Sequence, residues 1–463
     1  MKHDLHRYKS IHLLGIGGCG MSGIAKILHE MDFKVSGSDA KEGPNTVRLK
    51  DLGVKVFIGH DASLVRDVDL IVYSSAVTKT NPEMMEAEAK GIKIIKRAEA
   101  LAWIMEQSTN RIAIAGTHGK TTTTAMISKV FDAGKQDPTF LIGCDMDYSE
   151  GNAKKGNGVY SVAEADESDS SFLLLSPTLE VITNIEADHM EHFGSMRTLL
   201  STFEKFMERL STDGTIVIEG SDPNNKKLMN KVKRNYITYG FDPSMEFSAK
   251  NMTYDTYFSH YMLMHKDKEL GKVELSVPGW QNVVNSLAVF AVALQYGLDF
   301  STIAGALHTF IGARRRFSTV GEYGGILVID DYAHHPTEVS ATLSAARAGW
   351  PSNRIICVFQ PHRYSRTMLL KDRFAKAFEA ADLLVLTDIY AASEAPIPGI
   401  SGKTIADIVT NENSRYIPKK EQIPELLIKE LKEGDIVLTL GAGDIHTVGK
   451  EILARLKMKD AKE

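Results

Sequence analysis

Two glycine-rich segments constrain the fold of this chain most strongly, because each lies between an apolar run and a helical pattern. The first reads Gly-Ile-Gly-Gly-Cys-Gly at residues 15–20, and the second reads Gly-Thr-His-Gly-Lys-Thr-Thr at residues 116–122. A strand that turns on glycines into a helix is typical of α/β domains, and its backbone N–H groups can approach a phosphate. The two loops therefore predict two α/β domains, each with its own phosphorylated ligand.

Further apolar runs extend this pattern to a third block. Strand-like runs recur at residues 326–329, 355–359, 383–387 and 436–440, and 463 residues suit about three domains of roughly 150 residues. Polar or arginine-rich junctions at 106–111 and 312–317 place the predicted boundaries at 1–107, 108–313 and 314–463. Alternating aromatic and polar residues at 241–277 predict a β hairpin within the central block.

The charge balance limits the partners that the chain can bind. The 54 Lys and Arg residues nearly cancel the 59 Asp and Glu residues, so no bulk basic field exists for nucleic acid or for an anionic membrane surface. No apolar stretch reaches the roughly 18 residues of a membrane span, and no signal peptide precedes the first strand. Three scattered cysteines suit a reducing compartment. We expect a cytoplasmic protein without nucleic acid partners or membrane insertion.

The first glycine loop, taken alone, fits more than one ligand. Its spacing, together with Asp39 at the end of the next strand, is the fingerprint of a dinucleotide site, which would indicate an NAD-dependent dehydrogenase. Other pyrophosphate ligands, or a tight turn without any ligand, fit the same spacing.

The second loop indicates nucleoside-triphosphate chemistry. Its Lys120 can neutralise charge on a transferred phosphoryl group, and the Thr121 hydroxyl can ligate Mg²⁺. The loop is a shortened variant, because Ile114 stands where the strict pattern has a glycine. Acidic segments at 164–169 and 184–189 follow other predicted strands and add the hard oxygen ligands, and one histidine, that suit Mg²⁺.

The third block places polar motifs after its predicted strands. These motifs are Asp-Asp-Tyr-Ala-His-His-Pro at 330–336, Gln-Pro-His-Arg-Tyr-Ser-Arg at 360–366 and Gly-Ala-Gly-Asp at 441–444. Loops at the carboxyl ends of parallel strands bind ligands in α/β sheets, and paired arginines can hold a carboxylate or a phosphate. An arginine run at 314–316 lies at the second junction.

In their order along the chain, these motifs resemble those of the Mur ligase family of peptidoglycan synthesis. The resemblance runs from about Ile11 to Gly443 and rests on six motifs in three blocks. It implies an N-terminal Rossmann-like UDP-binding domain, a central P-loop ATPase-like α/β domain and a C-terminal Rossmann-like α/β domain.

The resemblance also implies the site residues. The UDP-sugar would be bound by Gly15, Gly17, Gly18, Gly20, Met21, Ser22 and Asp39. ATP would be bound by Gly116, Thr117, His118, Gly119, Lys120, Thr121, Thr122, Asn285, Arg316 and Asp331. Magnesium would be bound by Thr121, Glu164 and His189, and the amino acid by His334, Arg363 and Arg366. The catalytic residues would be Lys120, His189 and His334.

The activity that the resemblance implies is ATP-dependent amide-bond formation between UDP-N-acetylmuramate and L-alanine, through an acyl phosphate. ATP and Mg²⁺ are the implied cofactors, and a monomer or weak homodimer is expected. Attachment of a ready-made murein tripeptide, NAD-dependent oxidation and a non-catalytic UDP-sugar sensor are the alternatives. Two positions depart from the family pattern. Phe203 aligns with the carbamylated lysine of sister ligases, and Gln281 stands in place of a family histidine.

Overall fold

The computed structural model describes residues 4–146 and 151–460, whose strands form three sheets. The strands of the N-terminal sheet are β1 Ser10–Leu14, β2 Lys34–Asp39, β3 Lys55–Ile58, β4 Leu70–Tyr73 and β5 Lys93–Lys96. Its helices are α1 Cys19–Glu30, α2 Pro44–Asp51, α3 Pro82–Ala89 and α4 Arg97–Glu106. All strands are parallel, in the order β3-β2-β1-β4-β5.

Strand β1 lies where the strand order of this sheet reverses. It pairs with β2 on one side and with β4 on the other, and all five of its residues are buried. A parallel sheet covered on both faces requires such a continuous buried run. The first glycine loop follows β1 directly, so it occupies the switch point at which open α/β sheets bind their ligands.

The central sheet contains ten strands. They are β6 Asn110–Ala115, β7 Thr139–Met146, β8 Gly151–Lys154, β9 Tyr160–Glu164, β10 Leu179–Ile182, β11 Thr215–Glu219, β12 Asn235–Tyr239, β13 Phe247–Asp255, β14 Phe258–His265 and β15 Lys268–Leu275. Their order is β15-β14-β13-β12-β11-β10-β6-β9-β7-β8. Strands β14 and β15, neighbours in the sheet, form the hairpin predicted within 241–277, and β13 is a third strand in this segment that was not predicted.

Helices α5 to α10 belong to this central part of the chain. They are α5 Lys120–Ala133, α6 Met190–Phe193, α7 Met196–Met207, α8 Pro223–Lys231, α9 Trp280–Gln295 and α10 Phe300–His308. The core of the sheet is parallel, with β6 between β10 and β9. The second glycine loop therefore lies at a carboxyl strand end between two neighbouring parallel strands.

Helix α7 shows how the apolar pattern determines packing. Ser195 caps its first turn by accepting a hydrogen bond from the N–H of Thr198 at 3.2 Å. Phe206 stacks on Phe172 with ring centroids 4.5 Å apart, and Phe203 meets the same ring edge-on. Phe203, the residue aligned with the carbamylated lysine, is thus a core residue, whereas the nearby Lys205 is exposed.

The C-terminal sheet has six strands, with one antiparallel strand at its edge. The strands are β16 Ser318–Tyr323, β17 Ile326–Asp331, β18 Ile355–Phe359, β19 Leu383–Leu386, β20 Ser414–Tyr416 and β21 Ile436–Leu440. The helices are α11 Pro336–Gly349, α12 Tyr364–Phe374, α13 Lys403–Ala406, α14 Ile423–Leu427 and α15 His446–Asp460. The order is β16-β17-β21-β18-β19-β20, and only the β16–β17 pair is antiparallel among the pairs described.

The three sheets confirm the predicted three-part α/β fold class. The described residues group into two compact units. The first unit comprises residues of Met1–Lys250, Leu263–Gly271 and Val284–Leu307, and therefore contains the N-terminal sheet and both glycine loops. The second unit comprises residues of Asn251–Met262, Lys272–Val283 and His308–Glu463, and contains the C-terminal sheet. Among the described helices, none has the length and apolar character that crossing a membrane requires.

Candidate active site

The first glycine loop is closed by residues at the end of strand β2. The N–H groups of Gly15 and Ile16 both donate to the carbonyl of Ser38, at 2.9 and 3.0 Å. The N–H of Gly17 donates to Oδ2 of Asp39 at 2.9 Å. A Cβ on Gly17 would lie 3.0 Å from that carboxylate oxygen and 2.9 Å from Cγ2 of Thr46, so glycine avoids crowding at both groups. Asp39 therefore shapes the loop as well as lying beside it.

Two other residues predicted for the UDP-sugar have buried side chains. Met21 is part of the hydrophobic core, and the hydroxyl of Ser22 donates to the carbonyl of Cys19 at 2.9 Å. Their contact with a UDP-sugar stays a prediction.

A buried polar cluster behind this loop was missed by sequence reasoning. Glu83 at the start of α3 accepts from Ser38 at 2.7 Å and lies 2.7 Å from a ring nitrogen of His12 and 2.8 Å from one of His60. Burial opposes ionisation of Glu83, but these three hydrogen bonds outweigh it and lower the pKa of the carboxyl. The cluster anchors Ser38, the residue before Asp39. Its only signal in the sequence was a histidine inside an apolar strand.

The second glycine loop is held by the segment that follows strand β10. Asn184 accepts the N–H of Thr117 on its carbonyl at 2.7 Å, and the N–H of His118 on its side-chain oxygen at 3.0 Å. The hydroxyl of Thr183 donates to the carbonyl of His118 at 2.7 Å. A Cβ on Gly116 would lie 2.0 Å from that hydroxyl oxygen, and Gly116 has a φ of 130°. Both the backbone conformation and the close approach therefore require glycine here.

Asn285 on α9 also lies against this loop. A Cβ on Gly119 would be 2.6 Å from the side-chain oxygen of Asn285, whose side chain is largely buried. The structure thus brings Asn285 beside the loop to which it was assigned, although the two are far apart in the sequence.

Lys120, the first residue of α5, is fixed by three acceptors. Its Nζ lies 2.8 Å from Oε1 of Glu167, 2.6 Å from the carbonyl oxygen of Gly116 and 3.1 Å from that of Thr117. Burial acts to lower the pKa of Lys120, but the charges of Glu167, Asp166 and Glu164 outweigh it and raise the pKa. Lys120 is therefore a largely buried, charged ammonium.

The three predicted magnesium ligands differ in their surroundings. Glu164 ends strand β9, accepts the N–H of Gly143 at 2.5 Å and acts electrostatically on Lys120. Thr121 follows Lys120 in the first turn of α5. His189 has a φ of 55° and precedes α6, with its Nε2 3.6 Å from Oδ2 of Asp188. The hydroxyl of Thr121 and the carboxylate of Glu164 are hard oxygen donors that fit Mg²⁺, whereas the imidazole of His189 is a softer donor.

In the second unit, Asp331 is held at the end of strand β17. Its carboxylate accepts the N–H groups of Phe317 and Ala333, each at 2.7 Å. Burial raises the pKa of Asp331 to about 6, although the Arg316 charge and both N–H groups favour ionisation. The Arg316 guanidinium lies 5.2 Å from the ring centroid of Tyr332. The prediction placed Asp330 and Asp331 after a strand, but they are its last two residues.

Around strand β18, the motif residues converge. The ring of His334 lies 5.5 Å from that of His362, and Nδ1 of His362 is 3.1 Å from Nη1 of Arg366. Nδ1 of His334 lies 2.9 Å from the carbonyl oxygen of Tyr332. The structure thus groups His334 and Arg366 through His362.

Arg363 has an unusual backbone. Its φ is 70° and its N–H donates to the carbonyl of Tyr390 at 2.9 Å. Its guanidinium Nε lies 4.0 Å from Oε1 of Glu394, which also accepts the Ser365 hydroxyl at 2.7 Å. A non-glycine residue in this region is strained and is characteristic of functional sites. Tyr390 and Glu394 were missed, because no motif marks the loop after β19.

The chain belongs to the Mur ligase family. Three family models match successive parts of it: the Mur ligase family catalytic domain at residues 10–109, the Mur ligase middle domain at 114–293 and the Mur ligase glutamate ligase domain at 315–443. The proposed resemblance is confirmed.

The chain is similar to curated proteins named UDP-N-acetylmuramate–L-alanine ligase. It is 44% identical over 454 residues to one from Geobacter sp. (strain M21), covering 97% of this chain and 98% of the relative. It is also 44% identical to one from Trichlorobacter lovleyi, with 97% and 99% of the two chains covered.

Solved structures show the same architecture. The UDP-N-acetylmuramate–alanine ligase of Thermotoga maritima superposes with a TM-score of 0.82 at 32% identity, covering 97% of this chain and 99% of that one. A murein peptide ligase from Psychrobacter arcticus superposes with a TM-score of 0.69 at 24% identity, covering 97% of this chain and 98% of that one. This match shows a shared fold.

Proposed function

We propose that this chain is an ATP-dependent ligase that joins L-alanine to UDP-N-acetylmuramate, with release of ADP and phosphate, in peptidoglycan precursor synthesis. One observation carries the proposal. A chain 44% identical over nearly its whole length to ligases of that name holds Lys120 charged and fixed in its second glycine loop. A dehydrogenase would leave that loop without a role, and a non-catalytic sensor would not need its charged lysine.

The chemistry needs activation because a carboxylate is a poor electrophile. The muramoyl carboxylate attacks the γ-phosphorus of ATP, the bond from that phosphorus to the bridging oxygen breaks, and ADP leaves. Lys120 stabilises the negative charge of the transferring phosphoryl group, and its three acceptors hold the ammonium in position before ATP arrives. The product of this step is an acyl phosphate.

The second step forms the amide. The neutral amine of alanine attacks the acyl carbon, a proton leaves the nitrogen, and phosphate departs from the tetrahedral intermediate. His334 is our candidate to take that proton, because its ring lies in the group formed with His362 and Arg366. We assign the amino-acid carboxylate to Arg363 and Arg366, whose guanidinium groups can form forked hydrogen bonds.

Thr121, Glu164 and His189 would hold Mg²⁺, whose charge would neutralise the phosphate oxygens of ATP. Asn285, Arg316 and Asp331 are proposed to contact the nucleotide. The glycines at 15–20 and Asp39 are proposed to bind the UDP-sugar. The N-terminus of α1 would then face the diphosphate. We further propose that the protein is cytoplasmic. We also propose that it is a monomer or weak homodimer, which light scattering of the purified protein tests.

The decisive experiment is phosphate release from ATP in the presence of UDP-N-acetylmuramate, with the acceptor varied. Alanine, serine, glycine and a murein tripeptide are compared, and Lys120→Ala serves as the inactive control. We expect release that depends on alanine. Release with the tripeptide alone would assign the recycling reaction instead, and no release with any acceptor would refute ligase activity.

A further inference from the structure

We infer that Arg97 is a positioning residue. It couples ligand binding at the first glycine loop to the way in which Glu167 holds Lys120 in the second loop. The inference rests on the proposed function, since it requires a UDP-sugar at the first loop and ATP at the second. It concerns a residue that no motif singled out and two contacts made by its side chain, both within the first compact unit.

The first contact places Arg97 against the UDP-sugar loop. Arg97 begins α4, directly after strand β5, so it lies at the carboxyl edge of the N-terminal sheet. A Cβ on Gly20 would lie 2.8 Å from Nη1 of Arg97 and 3.3 Å from its Cδ. Gly20 is in the first turn of α1, where the N–H groups of a helix attract an anion. A diphosphate on this loop is therefore within the reach of the guanidinium.

The second contact joins Arg97 to the central sheet. Its Nη2 donates to Oδ2 of Asp166 at 3.1 Å, while Oδ1 of Asp166 accepts the N–H of Ser168 at 3.0 Å. Asp166 directly precedes Glu167, the partner of Lys120 at 2.8 Å. One arginine thus connects the first turn of α1 to the short segment that carries the carboxylate holding Lys120.

These contacts make the two ligands interdependent. A diphosphate offers oxygens that compete with Asp166 for the same guanidinium. When Arg97 turns towards the diphosphate, Asp166 loses part of its partner, and the adjoining Glu167 is held differently against Lys120. The affinity for ATP then depends on whether the UDP-sugar is bound, and by thermodynamic linkage the reverse holds to the same factor.

A second ion pair between the same two sheets provides the control. Arg48 on α2 binds Asp145 on β7 through two hydrogen bonds of 2.9 and 2.8 Å. The exposed fractions are similar, 24% for Arg97 and 28% for Arg48. Asp145, unlike Asp166, is not adjacent to the partner of Lys120. Removing either arginine removes an ion pair of the same kind, but of the two only Arg97 pairs with the residue next to Glu167.

The test measures binding of a non-hydrolysable ATP analogue with Mg²⁺ by calorimetry, in the absence and presence of saturating UDP-N-acetylmuramate. The full-length protein is compared with Arg97→Met, Asp166→Asn and Arg48→Met. We expect the UDP-sugar to change the analogue's affinity about fivefold or more in the wild type and in Arg48→Met. In Arg97→Met and Asp166→Asn the change falls below about twofold, a difference too small to count as coupling.

The affinities of Asp166→Asn and Arg97→Met for UDP-N-acetylmuramate alone distinguish coupling from a simple loss of charge. Asp166→Asn removes the carboxylate that competes for the Arg97 guanidinium, so its affinity for UDP-N-acetylmuramate alone stays at or above that of the wild type. Arg97→Met weakens that affinity, and Arg97→Lys, which keeps the charge without the fork, recovers part of it. A residue with only a structural role would not produce this split.

Equal coupling in the wild type and Arg97→Met would overturn the inference, as would the absence of coupling in the wild type. If Arg97→Met does not fold, judged by its thermal melt, Asp166→Asn and Arg97→Lys decide the same question. Failure of the proposed function is recognised separately, because the wild type would then release no phosphate with alanine.

Discussion

Nζ of Lys120 and Oε1 of Glu167 lie 2.8 Å apart in a site where Glu167 is only 2% exposed. Burial penalises the charged form of an ammonium and acts to lower the pKa of Lys120, and the charge of Glu167 is the largest of the effects that oppose it. The carboxylate thus keeps Lys120 charged in the absence of ATP. The site is prepared electrostatically before the substrate arrives, which is the arrangement that stabilises a transferring phosphoryl group most effectively.

Lys120→Ala is expected to lower kcat by about a hundredfold or more, the scale of losing a preorganised charge stabiliser. Turnover is measured as phosphate release at saturating substrates. Lys205→Ala, on the exposed face of α7, is the matched control and should retain wild-type turnover. Near-normal kcat in Lys120→Ala would remove this residue from the mechanism.

Asp331 is expected to set an acid limit on activity. Burial raises its pKa to about 6, so the carboxylate that accepts the Phe317 and Ala333 N–H groups is lost below that pH. We expect kcat/KM for ATP to fall through an apparent pKa near 6 as the pH decreases. The pH profile of Asp331→Asn should have a lower maximum kcat/KM and should lack the fall at acid pH. A variant that keeps this fall unchanged would contradict the assignment.

Glu180 is expected to make the protein less stable as the pH rises. It is fully buried in strand β10, no described residue hydrogen-bonds its carboxyl oxygens, and burial raises its pKa well above 4.5, although the Arg234 charge opposes the shift. The folded state keeps a proton that the unfolded state releases, so stability declines once the pH exceeds 4.5.

Glu180→Gln should therefore raise the free energy of unfolding by about 1–3 kcal/mol at pH 8, since no charge must then be buried or neutralised. The gain should shrink towards pH 4.5, as thermal melts over that range would show. Glu219→Gln, in the neighbouring strand, is the control: its carboxylate accepts the N–H of Ser221, and the gain should be smaller. An equal gain at all pH values would exclude proton linkage.

Arg363 is expected to govern the affinity for the amino acid. Arg363→Ala should raise the KM for L-alanine about tenfold or more. This fold-change corresponds to the free energy of a lost hydrogen bond to a charged group. The KM for UDP-N-acetylmuramate should change little. Lys371→Ala, exposed on helix α12, which begins directly after Arg363, controls for a general effect of charge. A uniform rise in every KM would place Arg363 outside the amino-acid site.

Sequence reasoning located the parts of the site that are local in the chain. Gly116, Gly119 and Lys120 lie within one loop, and their roles follow from backbone freedom and charge at a fixed spacing. The prediction for Asn285 depended on the family resemblance, yet the structure places its side chain beside Gly119. The strands β7, β8, β12, β16 and β20 were missed, because polar residues or glycines interrupt their apolar runs.

The residues that sequence reasoning missed are those whose importance depends on a distant partner. Glu167 was visible within an acidic motif, but only the fold shows which of its acids meets Lys120. Arg97 and Glu83 carried no motif, since an arginine after a strand and a glutamate in a first helical turn are common on protein surfaces.

The sequence by itself determined the number of α/β blocks, the positions of both glycine loops and the family. Glycine spacing and apolar runs act over a few residues and need no tertiary contact. Only the tertiary structure decided that Glu167 holds Lys120 and that Arg97 joins Gly20 to Asp166. Those pairings depend on the order in which strands assemble into a sheet, which brings residues 47 and 69 positions apart within hydrogen-bonding distance.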